Sequence, residues 1–214
     1  LFYNIGMSAR SAGMGGVYSA LRGGDMVFFG NPASLGFLDK QLIMVQGGYN
    51  EVSSDAARDI LGLGVDSPEA DVEMWNIGAG YAIPFADCYA LGVQYNYRDD
   101  NLDTKSYDLL ARRAEVHSEL DRHTFSLTAG YNYAQEIAFG YRYSYLEWDA
   151  ESELREISPN PGVLVDVNED FTGHRNQVGM QYVYGEEWIF GIDGYYGIGD
   201  WDVRGLSLIH ISEP

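Results

Sequence analysis

The chain has 214 residues, 46% of them hydrophobic and 21% charged, which suffices for a domain with a large core and excludes a disordered composition. A net charge of −19 with no basic stripe excludes a nucleic-acid surface, and a single cysteine, Cys88, excludes an internal disulfide or a zinc cluster. No run of 18 apolar residues occurs, so no transmembrane helix is possible; a spanning β-strand, which needs only about 9–11 residues with every second one apolar, is not excluded.

Residues 1–39 are rich in small residues and glycine and contain Ser11-Ala12-Gly13-Met14-Gly15-Gly16 and Asn31-Pro32-Ala33-Ser34-Leu35-Gly36. Glycine permits close backbone packing, and Asn-Pro reads as a turn or helix start with Pro32 at the first helical position. From Lys40 onward the pattern has period two. Residues 41–50 place Ile43, Val45 and Tyr49 on one face, and residues 73–83 set Trp75, Ile77, Ala79, Tyr81 and Ile83 against Asn76, Gly78, Gly80 and Ala82. After a Pro84-Phe85-Ala86-Asp87 turn, Tyr89, Leu91, Val93, Tyr95 and Tyr97 oppose Ala90, Gly92, Gln94, Asn96 and Arg98. A helix would scatter these side chains around its axis. The pattern returns in Phe125, Leu127, Ala129, Tyr131 and Tyr133. It recurs in Ile137, Phe139, Tyr141, Tyr143 and Tyr145, then in Val178, Met180, Tyr182 and Tyr184, and last in Trp188, Phe190, Ile192, Tyr196 and Ile198.

The connections are expected to alternate in length. Tight ones fall near 84–88, 134–136 and 185–187, and long ones over 51–72, 99–122 and 149–173. All short turns then lie at one end of the sheet, as in an outer-membrane meander with short periplasmic turns and long outer loops. One face of each strand is aromatic and aliphatic; the other carries Gly, Ser, Thr, Asn, Gln and Arg and almost no Lys or Glu, which suits a wet lumen rather than a face in bulk water. Seventeen tyrosines and four tryptophans fit membrane–water interfaces. The acidic residues of the expected long loops read as solvated surface, or as divalent-cation contacts to lipopolysaccharide.

The stretch Gly6-Met7-Ser8-Ala9-Arg10-Ser11-Ala12-Gly13-Met14-Gly15-Gly16-Val17-Tyr18-Ser19-Ala20-Leu21, followed by Asn31-Pro32-Ala33, resembles the start of the FadL-like outer-membrane proteins, including the PorV/PorQ branch. Arg22-Gly23-Gly24-Asp25 and Ser34 depart from the family pattern and leave the branch open. The resemblance implies a 14-stranded barrel of which seven strands are about half, with residues 1–39 as a lumenal plug. Gly13, Gly15 and Gly16 would allow the plug to pack closely, and Asn31 would tie it to the wall. It further implies passive uptake of hydrophobic small molecules such as fatty acids or hydrocarbons.

The expectation is an all-β, antiparallel up-and-down transmembrane barrel, partial in this chain, over residues 40–205. Its location is the outer membrane of a Gram-negative bacterium, and its partners are lipid, lipopolysaccharide and a hydrophobic ligand. Two alternatives stand beside uptake: a PorV/PorQ-like barrel that meets secretion-system proteins, and a soluble β-rich binding domain. Leu1-Phe2-Tyr3 carries no export signal, and Leu206–Pro214 reads as a sequencing-adaptor scar, so the natural chain is expected to continue past Gly205. No G-x-S-x-G, H-E-x-x-H or phosphate-loop motif occurs, so no enzyme and no cofactor are expected. His117, His123 and His174 fall in or beside the expected loops. Asp99-x-Asn101-x-Asp103 lacks a calcium loop's glycine at Thr104 and its closing Glu at Leu110, and Asp166-x-Asn168-x-Asp170 fails at Phe171.

Overall fold

A computed structural model describes residue 20 and residues 26–52, 69–107, 113–158, 162–185 and 188–207. Seven antiparallel strands form one sheet in sequence order: β1 (Leu42–Val52), β2 (Glu69–Ala86), β3 (Tyr89–Tyr107), β4 (Arg113–Asn132), β5 (Ile137–Ser158), β6 (Gly162–Tyr184) and β7 (Trp188–Ser207). Each strand pairs with its chain neighbours, and among the described residues β1 and β7 do not pair with each other, so the wall is an open up-and-down meander. Before β1 come a one-turn helix α1 (Met26–Phe29) and a 3-10 helix (Pro32–Phe37) capped by Asn31, with Pro32 at its start. The Asn31 side chain accepts a hydrogen bond from the Ala33 N–H at 2.9 Å. That cap satisfies one of the donors a helix start leaves free.

The alternation expected from the sequence sorts the side chains as predicted. Ile43, Leu91, Val93, Leu127, Phe139, Met180 and Ile192 lie on the exposed face. Gln94, Ser126, Thr128, Arg142, Ser144, Gln177 and Gln181 lie buried on the other, beneath or beside the N-terminal segment. The core is small: Val27, Phe28 and Leu35 of that segment meet Met44, Ala82 and Ala90 of β1–β3. The wall wraps around the segment. Phe28 lies against Gly80 of β2, while Asn31, three residues later, donates to the Ile192 carbonyl of β7. On a flat sheet β2 and β7 would be about 24 Å apart. Three residues span at most about 11 Å.

The tight connections occur where expected, at Asp87–Cys88, Tyr133–Glu136 and around Gly185. The long loops do not. Residues 99–107 and 113–122 continue β3 and β4, and residues 149–158 and 162–173 continue β5 and β6. Only 108–112 and 159–161, both outside the described residues, separate these pairs, and most of the remaining expected loop, residues 53–68, is also outside them. The expectation failed because these outer halves alternate between charged residues and mixed apolar–polar ones. Pairs such as Lys105–Glu115 and Glu115–Arg155 continue the ladder without an aliphatic face. His117, His123 and His174 are accordingly strand residues, not loop residues. Leu206 and Ser207 close β7, and the rest of the expected adaptor stretch lies outside the described residues.

Candidate functional site

The first element of the site is the contact between the N-terminal segment and the inner face. Counting away from the β4–β5 turn, Gly130 and Gly140 stand opposite each other, and Gly140 stands opposite Gly179 of β6. The backbone of Pro32 and Ala33 lies directly on Gly140, so that a Cβ there would collide with main-chain atoms; Gly130 is covered in the same way by Leu35 and Gly36. A row of missing side chains thus forms the bed on which the 3-10 helix rests. Asn31 sits over Gly179, and its amide donates to Met180 O at 3.1 Å and to Ile192 O at 3.0 Å.

Arg142 of β5 completes the seat. It is fully enclosed and donates to Val27 O at 3.0 Å, Gly30 O at 3.1 Å, Thr128 Oγ1 at 3.1 Å and Gln177 Oε1 at 3.3 Å. A buried guanidinium is costly unless its donors are satisfied. Here two of the four bonds go to carbonyls that a short segment cannot satisfy internally, and two to side chains of the wall. Of the six residues singled out in the sequence, Asn31, Pro32 and Ala33 are together in this seat, and Gly13, Gly15 and Gly16 lie outside the described residues. Arg142 and the glycine row were not singled out. The signal that could have found the row is the symmetry of Gly130 and Gly140 about their turn.

Above the seat the inner face changes character. One ladder row reads Asn76, Arg98, Arg122, Trp148, Phe171, Trp201 from β2 to β7. Beyond it the inner face carries Val72, Leu102, Val116, Leu120, Leu154, Val165 and Val167, half-buried. The outer face inverts in the opposite sense. Near the tight turns it is apolar, with Leu91 and Leu127 nearly half exposed at 49% and 46%. Aromatic pairs bound this band at both ends: Phe85–Tyr89 and Trp188–Phe190 near the turns, Trp75–Tyr97 and Tyr143–His174 at the far end. Along β3, Tyr89 to Tyr97 spans about 27 Å.

Past the far aromatics the outer face is acidic. Asp99, Asp121, Asp149, Asp170 and Asp202 stand side by side on five consecutive strands. Like charges directly opposite are destabilising. Part of the strain is relieved by the belt, since Trp75 Nε1 donates to Asp99 and the Tyr97 hydroxyl to Asp121, both at 2.6 Å. Further out, Asp103, Glu115, His117, Glu153 and Arg155 line a shallow groove of about 270 Å³. His117 meets Asp103 at 2.6 Å and Glu119 at 3.0 Å. The hydrogen bond to Asp103 raises its pKa above the usual 6.5, with Glu119 acting the same way and burial opposing both. Glu153 is held below the usual carboxylate range by its Arg155 partner at 2.6 Å. Among the described residues no group of three or more His, Cys, Asp or Glu is arranged to hold a metal ion.

No family model matches the chain. No curated protein matches it. Among solved structures the chain is similar to one described as "CymD monoaromatic hydrocarbon channel". The two are 10% identical, with 98% of this chain and 100% of that chain covered and a TM-score of 0.34. By its own register and its two faces, this chain is an all-β, antiparallel, up-and-down wall of the β-barrel kind with a short helical segment seated on its inner face.

Proposed function

We propose that the chain is wall and plug of an outer-membrane β-barrel that admits hydrophobic small molecules passively. The observation that carries this reading is the double inversion of polarity along the strands. Near the tight turns the outer face is apolar and the inner face polar, as lipid on one side and a hydrated, plugged lumen on the other require. Beyond the aromatic belt the outer face becomes acidic, as a face in water allows, while the inner face becomes aliphatic and aromatic. An apolar inner surface on strands that stand in water has no structural purpose unless something apolar occupies or crosses it. The N-terminal segment below it is the plug, and no chemistry on the solute is needed.

The test is uptake of a labelled monoaromatic or aliphatic hydrocarbon by liposomes carrying the protein. Faster entry than in empty liposomes is expected, with slower entry after Leu102→Asp and Leu154→Asp, which place charge on the inner wall. Entry equal to empty liposomes would sink the proposal.

A further inference from the structure

The inner-wall row that carries Arg122 holds an unfilled electrostatic demand. Arg98 and Arg122 stand directly opposite each other on β3 and β4. Arg98 has an answer, since its Nε donates to Asp100 at 2.5 Å and its Nη2 rests on Met74 Sδ at 3.3 Å. Arg122 has none of that kind. Its Nε is shielded from solvent without a hydrogen-bond partner. Arg98 and Arg175 are close enough to repel it, and Asp100, the one carboxylate acting on it, is already bound to Arg98. Its flat contact is with an aromatic ring: the guanidinium carbon lies 5.3 Å from the centre of Trp148.

Trp148 in turn packs on Phe171, with ring centres 4.3 Å apart and planes inclined at 32°. Phe171 is fixed from beneath, because its ring lies over Gly173 and Gly199, where a Cβ would strike it. The result is a shelf with a rigid aromatic surface and a cation at one end, next to the aliphatic part of the same inner wall. A cation stacked on an aromatic ring gains a little from the ring but keeps its in-plane N–H groups free. A planar anion is the group that uses them, through paired charge-assisted bonds.

We propose that this shelf binds an aryl carboxylate, with its ring against Trp148 and Phe171 and its carboxylate on Arg122. The inference rests on the inner wall being the solute path, and it narrows the solute from any apolar molecule to one with an aromatic body and an anionic end. An alkyl carboxylate would satisfy Arg122 but not the two stacked rings. A neutral arene would cover the rings and leave Arg122 as it is.

The experiment is equilibrium binding of benzoate, hexanoate and toluene to the detergent-solubilised protein, beside toluene entry into liposomes carrying it. Benzoate is expected to bind at least tenfold more tightly than hexanoate or toluene. Arg122→Gln should remove most of that preference while retaining the β-sheet circular dichroism of the parent. Trp148→Leu should weaken benzoate and leave hexanoate little changed. Benzoate bound no better than hexanoate or toluene by the unaltered protein would overturn the proposal, whether or not the variants fold. So would a folded Arg122→Gln protein that binds benzoate as before. Toluene entry without benzoate preference would remove this inference alone, whereas absence of accelerated entry would remove the proposed function beneath it.

Discussion

At the scale of single residues, the seat of the N-terminal segment depends on what is missing as much as on what is present. Gly140 is needed because the Pro32–Ala33 backbone occupies the place of its side chain. Gly140→Val should therefore lift the segment and cost about 1–3 kcal/mol, the usual penalty of overpacking. Gly194→Ala, where an added Cβ meets nothing within 4 Å, should stay within about 0.5 kcal/mol. Urea unfolding in detergent separates the two, and equal midpoints would deny the close approach. Arg142 makes the converse case. Arg142→Met removes a buried charge, which alone would help, but it strands the Val27 and Gly30 carbonyls at once. Each orphaned buried acceptor costs about 1–3 kcal/mol, so the net loss should be on the order of 2–4 kcal/mol. Protease cutting of the N-terminal segment at lower urea would report it, and unchanged protection would argue that the segment is held otherwise.

At the scale of elements, the strands divide into two halves under different rules. In the half near the tight turns, Leu91→Arg should cost about 2–4 kcal/mol if lipid covers that face. Tyr195→Arg, on the inner face of β7 and 68% exposed, should cost much less. Gln94, on the same inner face, is no substitute control, because it is only 5% exposed. Equal losses at Leu91 and Tyr195 would count against a lipid-facing band. In the outer half the governing interactions are cross-strand charges. His117 is stabilised as the imidazolium by Asp103, so its raised folded pKa exceeds the unfolded value. The pair's contribution is full below about pH 6.5 and is lost as pH rises through the folded value. The His117 ring should titrate above 6.5 by NMR and move down in Asp103→Asn; a midpoint at or below 6.5 would refute the pairing.

The same division explains what could be read in advance. Alternating aliphatic and aromatic residues, as in Tyr89 to Arg98, identify a strand because one face must be apolar and the other not. The stretch Asp99 to Thr104 alternates just as strictly, yet Asp99, Asn101 and Asp103 lie on the outer face while Asp100, Leu102 and Thr104 lie on the inner one. Neither set is uniformly apolar, so hydrophobic periodicity falls silent although the ladder continues. Asn31 and Pro32 were legible from local helix-start chemistry. Arg142 and Arg122 were not, since what distinguishes them is which neighbours the register brings alongside.

At the scale of the whole molecule, the wall has two edges, β1 and β7, that are unpaired among the described residues. A membrane offers no hydrogen-bond partners to such edges, and each unmatched backbone group in hydrocarbon costs several kcal/mol. The uptake proposed above therefore requires that both edges be matched in the bilayer, by a second copy or by each other. Cross-linking in liposomes should trap either a dimer or a β1–β7 link, and finding neither would show the edges unmatched. One further consequence concerns the outer half as a mechanical object. Its outer skin carries the aspartate row, whose members push apart, and its inner skin carries aliphatic groups that draw together in water. Two bonded layers under opposite stress bend, as a bimetallic strip does. The mouth of this wall is thus pre-tensioned to curl inward, with ionic strength as the setting that slackens it.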